Sequence, residues 1–185
     1  MITPILIQLF EEGLTKLAEE INQYPDDASL WIPLEGINNP GGNLCLHLNG
    51  NLQHFLGAVL NDSGYVRNRD AEFSLKNITK KKLLDEVEAT KMSVRDTLEQ
   101  LSKKTLEMQY PIVALAEPCS TEHFLVYLLS HLNYHIGQVN YHRRLATTKV
   151  AAAVALVKVT ATTAVAAAPK RAMVVWVALL SVVAR

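Results

Sequence analysis

Three histidines carry the most chemistry in this sequence. They are His47, in Leu46-His-Leu-Asn-Gly-Asn-Leu, and the pair His131 and His135, in His-Leu-Asn-Tyr-His-Ile-Gly-Gln. A spacing of four residues puts His131 and His135 on one helix face, about 6 Å apart in rise. That separation suits two imidazoles on one divalent ion. By itself His47 reads as a core histidine; from a facing helix it would complete a three-nitrogen set with open coordination positions. Open positions are what chemistry at a metal needs, and a closed structural site lacks them.

Other polar residues follow on the same stripes. His54 comes seven residues after His47 and His142 seven after His135, each about 10.5 Å further along its helix and too far to share the ion. Both read as pocket wall or as support behind the ligands, with a position near the surface as the alternative for His54. Asn51 and Gln138 lie about one turn from the ligand candidates. They could orient an imidazole, bind substrate or pair between helices. Arg67 and Arg69 could meet an anionic substrate at the mouth of a site; a salt bridge to Asp70 or Glu72 is the plainer expectation. Cys45 points about 160° away from His47 around a helix and is expected in the core.

Four helical segments must position these groups. The first is expected over 4–24, with Ile5, Leu6, Leu9, Phe10, Leu14, Leu17 and Ile21 as its apolar positions. The third is expected over 79–101, with Leu84, Val87, Val94, Leu98 and Leu101 as its stripe. The second and fourth differ: 43–61 and 123–142 contain no Asp, Glu, Lys or Arg. A helix uncharged all round is a buried helix. In the second, Leu48, Leu52, Phe55 and Val59 mark the apolar centre, with His47, Asn51, His54 and Ala58 opposite. In the fourth, Leu125, Leu128, Leu132 and Val139 run beside Phe124, His131, His135, Gln138 and His142. Buried polar stripes need partners, and two of them facing across a metal would provide them. Ser120 or Thr121 caps the fourth helix, with Glu122 in its first turn. The connections, 25–42, 62–78 and 102–119, are long; Asn39-Pro-Gly-Gly before the second helix and Tyr65-Val-Arg-Asn-Arg-Asp-Ala-Glu-Phe after it could cover the mouth of a site.

The fold class these segments define is all-α, a four-helix bundle over 1–146, followed by a tail over 147–185. The bundle carries 13 basic side chains against 18 acidic ones, which argues against nucleic acid as a partner. The tail holds five basic groups and no acid, and 22 of its 39 residues are Ala or Val. This composition breaks from the body. It reads either as a frameshifted segment or as one more packed segment, helical or β-rich. Its apolar stretch 172–184 is too short to span a bilayer, and no membrane role is expected. Cys45 and Cys119 form no disulfide framework. The N-terminus lacks a signal-peptide pattern, so a cytoplasmic protein with reduced thiols is expected.

Residues 1–146 resemble the DinB-like (YfiT/DinB) four-helix bundles. The resemblance is carried by Trp31 ahead of the Gly-rich loop, Leu46-His-Leu-Asn-Gly-Asn-Leu, Arg67-Asn-Arg-Asp-Ala-Glu-Phe and His131-Leu-Asn-Tyr-His-Ile-Gly-Gln. It implies a divalent metal on His47, His131 and His135. It also implies a homodimer and, as one possibility, metal-dependent transfer chemistry on a small-molecule substrate such as a low-molecular-weight thiol. Zinc is the first choice for imidazole ligands in an open tetrahedral site; nickel, iron and manganese suit the same donors. A thiol transferase or a hydrolase would follow. The alternative is a non-catalytic bundle that binds a metal or small ligand in stress response. The Ala–Val tail has no counterpart in the family pattern.

Overall fold

The computed structural model describes residues 2–167, with side chains over 2–157. Four long helical segments build a bundle over 2–147: α1 (Thr3–Asn22), α2 (Gly41–Leu52) with its continuation, α5 (Lys80–Gln100) and α7 (Thr121–Ala167). No strand occurs among the described residues; two isolated bridges, Leu34 with Ile37 and Gln109 with Ser120, tie loop ends. None of the described helices is long and apolar enough to cross a membrane.

Local chemistry sets the helix starts. Pro4 lies in the first turn of α1, where its missing N–H costs no helical hydrogen bond. The Thr79 hydroxyl accepts from the Lys82 backbone N–H to open α5, and the Ser120 hydroxyl accepts from the His123 N–H ahead of α7. The expected long loops contain helical pieces of their own. A 3₁₀ turn spans Ala28–Trp31, α4 spans Arg69–Ser74 and α6 spans Lys103–Glu107. Asn68 caps α4 by accepting from the Ala71 N–H at 3.0 Å; Ser102 caps α6 through the Thr105 N–H at 3.0 Å.

The second helix departs from the expected register. It starts at Gly41, two residues early, and passes through a π-helical turn, Gln53–Ala58, before ending in α3 (Val59–Asn61). A π turn holds more residues than an α turn. The buried line therefore runs Leu48, Leu52, Leu56, not toward Phe55 and Val59, which are only partly buried. Phe55 falls instead on the line of His47 and Asn51, where an unbroken α-helix would have brought His54 and Ala58. Residue Gly42 explains why this helix opens on two glycines. A Cβ there would meet the Trp31 ring at 2.6 Å, so the indole lies flat on bare backbone.

The core joins Phe10, Leu14, Leu17 and Ile21 of α1 with Leu83, Val87, Val94 and Leu98 of α5, and with Leu125, Leu128, Leu132 and Val139 of α7. On α1, Ile5 and Leu9 are exposed and leave the expected stripe; Leu83 takes the innermost place on α5, with Leu84 beside it. Glu20 ties α1 to α7, accepting from Asn140 Nδ2 at 2.8 Å and from Arg143 Nε at 2.6 Å. In the tail, 151–157 are helical and exposed. The apolar stretch 172–184 lies outside the described residues.

Candidate metal centre

α2 and α7 bring the three histidines together. His131 Nε2 lies 3.3 Å from His47 Nε2 and 3.1 Å from His135 Nε2. All three potential ligand atoms fall within 4.8 Å of one another. His47 is buried, and the other two are half-buried.

The far sides of the rings decide what the near sides can do. His47 Nδ1 is 2.8 Å from Glu72 Oε2. Arg67 grips the same carboxylate with two donors, Nε to Oε1 at 2.7 Å and Nη2 to Oε2 at 2.9 Å. Burial pushes the Glu72 pKa up, but the hydrogen bonds from His47 and Arg67 and the guanidinium charge outweigh it, and the net shift is downward. An ionised carboxylate only accepts, so His47 Nδ1 must carry the proton and Nε2 must present a lone pair. Arg67 Nη2 is also 3.4 Å from that Nδ1, but the protonated nitrogen cannot accept from it. His135 repeats the pattern. Its Nδ1 lies 2.6 Å from Gln138 Oε1, while Gln138 Nε2 donates to the Tyr134 hydroxyl at 3.1 Å. The second bond orients the amide with its oxygen toward the ring, so His135 Nε2 also presents a lone pair.

Two lone pairs thus converge on His131 Nε2, whose own Nδ1 is buried without a hydrogen-bond partner. A single N–H on His131 cannot serve both neighbours well; a cation between the three rings serves all of them. The separations agree with this. Ligand bonds of about 2.0–2.1 Å at tetrahedral angles set nitrogens roughly 3.3 Å apart. Protonation states agree as well. Burial, then the neighbouring His135, His47 and Arg67, hold His131 down to about 4, and burial lowers His135 against the opposing Gln138 hydrogen bond. Both are neutral at pH 7, the form that ligates. The residues therefore fit a divalent ion, with a carboxylate behind one ligand and an amide behind another, the outer support that metal-binding histidines need.

One small residue makes the carboxylate contact possible. A Cβ on Gly50 would run into Glu72, reaching its Cδ at 2.9 Å. Only bare backbone at that point of α2 lets α4 bring Glu72 against His47. Asn43 Nδ2 holds the same segment, donating to the Glu72 and Leu75 carbonyls at 2.8 and 3.0 Å.

Above the histidines lies an open cleft of about 350 Å³, walled by Asn51, Phe55, Arg67, Arg69, Phe73 and Tyr127. A second cleft of about 580 Å³ shares Asn39 and His135 with it. The connections 25–42 and 62–78 do supply parts of the mouth, through Asn39, Arg67 and Phe73. Of the other residues singled out in the sequence, Asn51 lines the cleft and Gln138 supports His135. His54 stays outside the cleft lining and lies against the Phe55 ring, centroids 4.8 Å apart. His142 is fully buried and is held elsewhere, by the Tyr24 hydroxyl at 2.8 Å and the Ile32 carbonyl at 3.0 Å. Cys45 sits in the core, where burial pushes its thiol pKa up. Sequence reasoning missed Glu72 as the partner of His47. The signal available was that a buried metal-binding histidine requires an acceptor on its other nitrogen and that Glu72 closes the motif 67–73.

A helical bundle with three convergent imidazoles is the class this fold and site define. Residues 5–158 match the family described as "Protein of unknown function (DUF1572)", and the chain belongs to that DinB-like family. Among solved structures, a DinB-like protein from Bacillus cereus ATCC 10987 aligns at a TM-score of 0.62 with 16% identity, covering 77% of this chain and 91% of that one. A conserved protein from Enterococcus faecalis aligns at a TM-score of 0.66 with 15% identity, covering 80% and 98%. At these identities the likeness concerns the fold. Comparison with curated proteins gives no match.

Proposed function

We propose that His47, His131 and His135 hold one divalent ion, zinc first among the candidates, and that the chain is a metal-dependent enzyme acting on a small molecule. The observation that carries this reading is the convergence of three Nε2 atoms whose outer nitrogens are fixed by Glu72 and Gln138 or left orphaned. A divalent ion bound there would supply Lewis acidity, generating a nucleophile from water or a thiol near neutral pH.

The chain's own residues do the rest. Glu72 and Gln138 keep their imidazoles in the ligating tautomer. Arg67 neutralises Glu72, so that the carboxylate stays ionised beside a half-buried cluster. Phe55, Phe73 and Tyr127 present apolar walls that orient a substrate and reduce its hydration. The open cleft directly over the histidines supports an enzyme over a store, since a store needs no access for a second molecule. A low-molecular-weight thiol fits as a co-substrate, giving transferase chemistry; water would give hydrolysis.

Cobalt substitution separates these readings. Co²⁺-loaded protein should show the visible absorption of a nitrogen-ligated open site. Adding 2-mercaptoethanol should produce a new sulfur-to-cobalt charge-transfer band. A cobalt spectrum indifferent to thiol, to pH and to small anions would mean a closed coordination sphere, and the catalytic reading would fail.

A further inference from the structure

The cleft above the histidines is cationic in a bundle that is otherwise acidic. Both Arg67 and Arg69 line it, and no Asp or Glu does, although residues 1–146 carry 18 acids against 13 bases. The two arginines are not equivalent. Arg67 is spent on Glu72, with two hydrogen bonds to its carboxylate. The Arg69 side chain makes no ion pair or hydrogen bond among the described residues; its guanidinium lies over the Phe73 ring, 5.6 Å from the centroid. Stacking of this kind holds the planar fork in place while leaving its N–H donors free. One uncompensated charge therefore stands at the rim.

An independent observation lies deeper. Asn51 is only 6% exposed and borders the cleft one turn beyond His47, yet its Oδ1 is buried with no hydrogen-bond partner. Its Nδ2 makes no hydrogen bond among the described residues either and is not enclosed like the oxygen, so the amide offers the cleft a free donor that a bound acceptor would satisfy. Between the two polar groups the walls are aromatic, Phe55, Phe73 and Tyr127 among them.

We propose that this cleft selects a small monoanionic carboxylate with an apolar body. Arg69 pairs the carboxylate at the rim, the aromatic walls take the body, and Asn51 Nδ2 donates to a hydroxyl at the far end. A monoanion matches the single free guanidinium, and a guanidinium fork matches the two oxygens of a carboxylate. This assignment rests on the cleft being the substrate site of the proposed enzyme, but not on the ion being bound.

The test is calorimetric titration of 4-hydroxyphenylacetate, its neutral amide 4-hydroxyphenylacetamide, and phenylacetate. Each is titrated into EDTA-treated and zinc-loaded full-length protein. The carboxylate should bind roughly tenfold more tightly than the neutral amide in both forms, the range of one charge-assisted hydrogen-bonded pair. Arg69→Gln should erase that difference. Asn51→Leu should erase the advantage of 4-hydroxyphenylacetate over phenylacetate and leave the carboxylate preference intact. Both variants should keep the wild-type melt, so that loss of binding is not loss of fold. Equal binding of acid and amide, or a Kd weaker than about 10 mM for every probe, would overturn the proposal. So would a carboxylate preference that needs zinc and survives Arg69→Gln, because the ion would then be holding the anion. Preference through Arg69 in protein that takes up no zinc would leave this proposal standing and sink the metal reading alone.

Discussion

For Glu72→Gln, the isosteric amide can still accept from His47 but loses its charge toward both His47 and Arg67. Zinc affinity should fall roughly 10- to 100-fold, as for other outer partners of ligating histidines; competition with a chromogenic chelator measures it. That His131 and His135 share a helix face was legible from spacing alone, because four residues on a helix fix direction with no help from tertiary structure. Glu72 was not, since its value comes from α4 folding back over α2 to reach a ring 25 positions earlier. The π turn moves His54 off the line of His47 and Asn51. His142 gives a pH prediction. Burial lowers its pKa, partly offset by its hydrogen bond to the Ile32 carbonyl. The ordinary value in an unfolded chain is about 6.5. Below it the unfolded state takes up a proton that the folded state resists, so the stability contribution is complete above roughly pH 6.5 and is lost as pH falls. His131 and His135 have the same sign in metal-free protein. The Tm of metal-free protein should therefore drop between pH 7 and pH 5, and His142→Gln should flatten part of that slope even if it lowers the Tm throughout. A slope unchanged by the substitution would remove His142 as a contributor.

Helices α1 and α5 and the body of α7 followed directly from apolar periodicity, and Ser120 from its capping chemistry. The short helices inside the connections did not, because each is a single capped turn or two with no stripe long enough to show a period. The π turn escaped for a different reason: 43–61 carries no Asp, Glu, Lys or Arg, so no charged, solvated stripe reports a change of register. At this scale Gly50 is the informative position. Gly50→Ala places a methyl where Glu72 must sit, and α4 should be displaced from α2. Its effect on zinc affinity should resemble that of Glu72→Gln, roughly tenfold or more. The double variant should be no worse than the stronger single one, because both act through one contact. Additive losses would show that Gly50 supports the site by another route.

On the scale of the whole chain, the composition changes from residue 147 onward, and the contacts divide between Thr147 and Thr148. Every residue named at the candidate site lies before that boundary. A chain ending at Thr147 is expected to keep a cooperative melt and to take up zinc with the same stoichiometry as the full chain; aggregation or a non-cooperative melt would show that the tail covers core surface. What sequence could not reach at this scale was the electrostatic division of labour. The net charge of the bundle is acidic, while the cleft keeps a positive charge, because Glu72 cancels only Arg67 and no Asp or Glu lines the walls beside Arg69.

The most direct measurement is the zinc content of protein purified without a histidine tag, by elemental analysis, beside His131→Ala. About one ion per chain in the wild type and almost none in the variant is the expected result, because His131 stands between the other two imidazoles. Both proteins should keep their helical circular dichroism, since the apolar core does not depend on the site. Equal metal content in the two, or none in a wild type incubated with zinc and desalted, would contradict the metal centre.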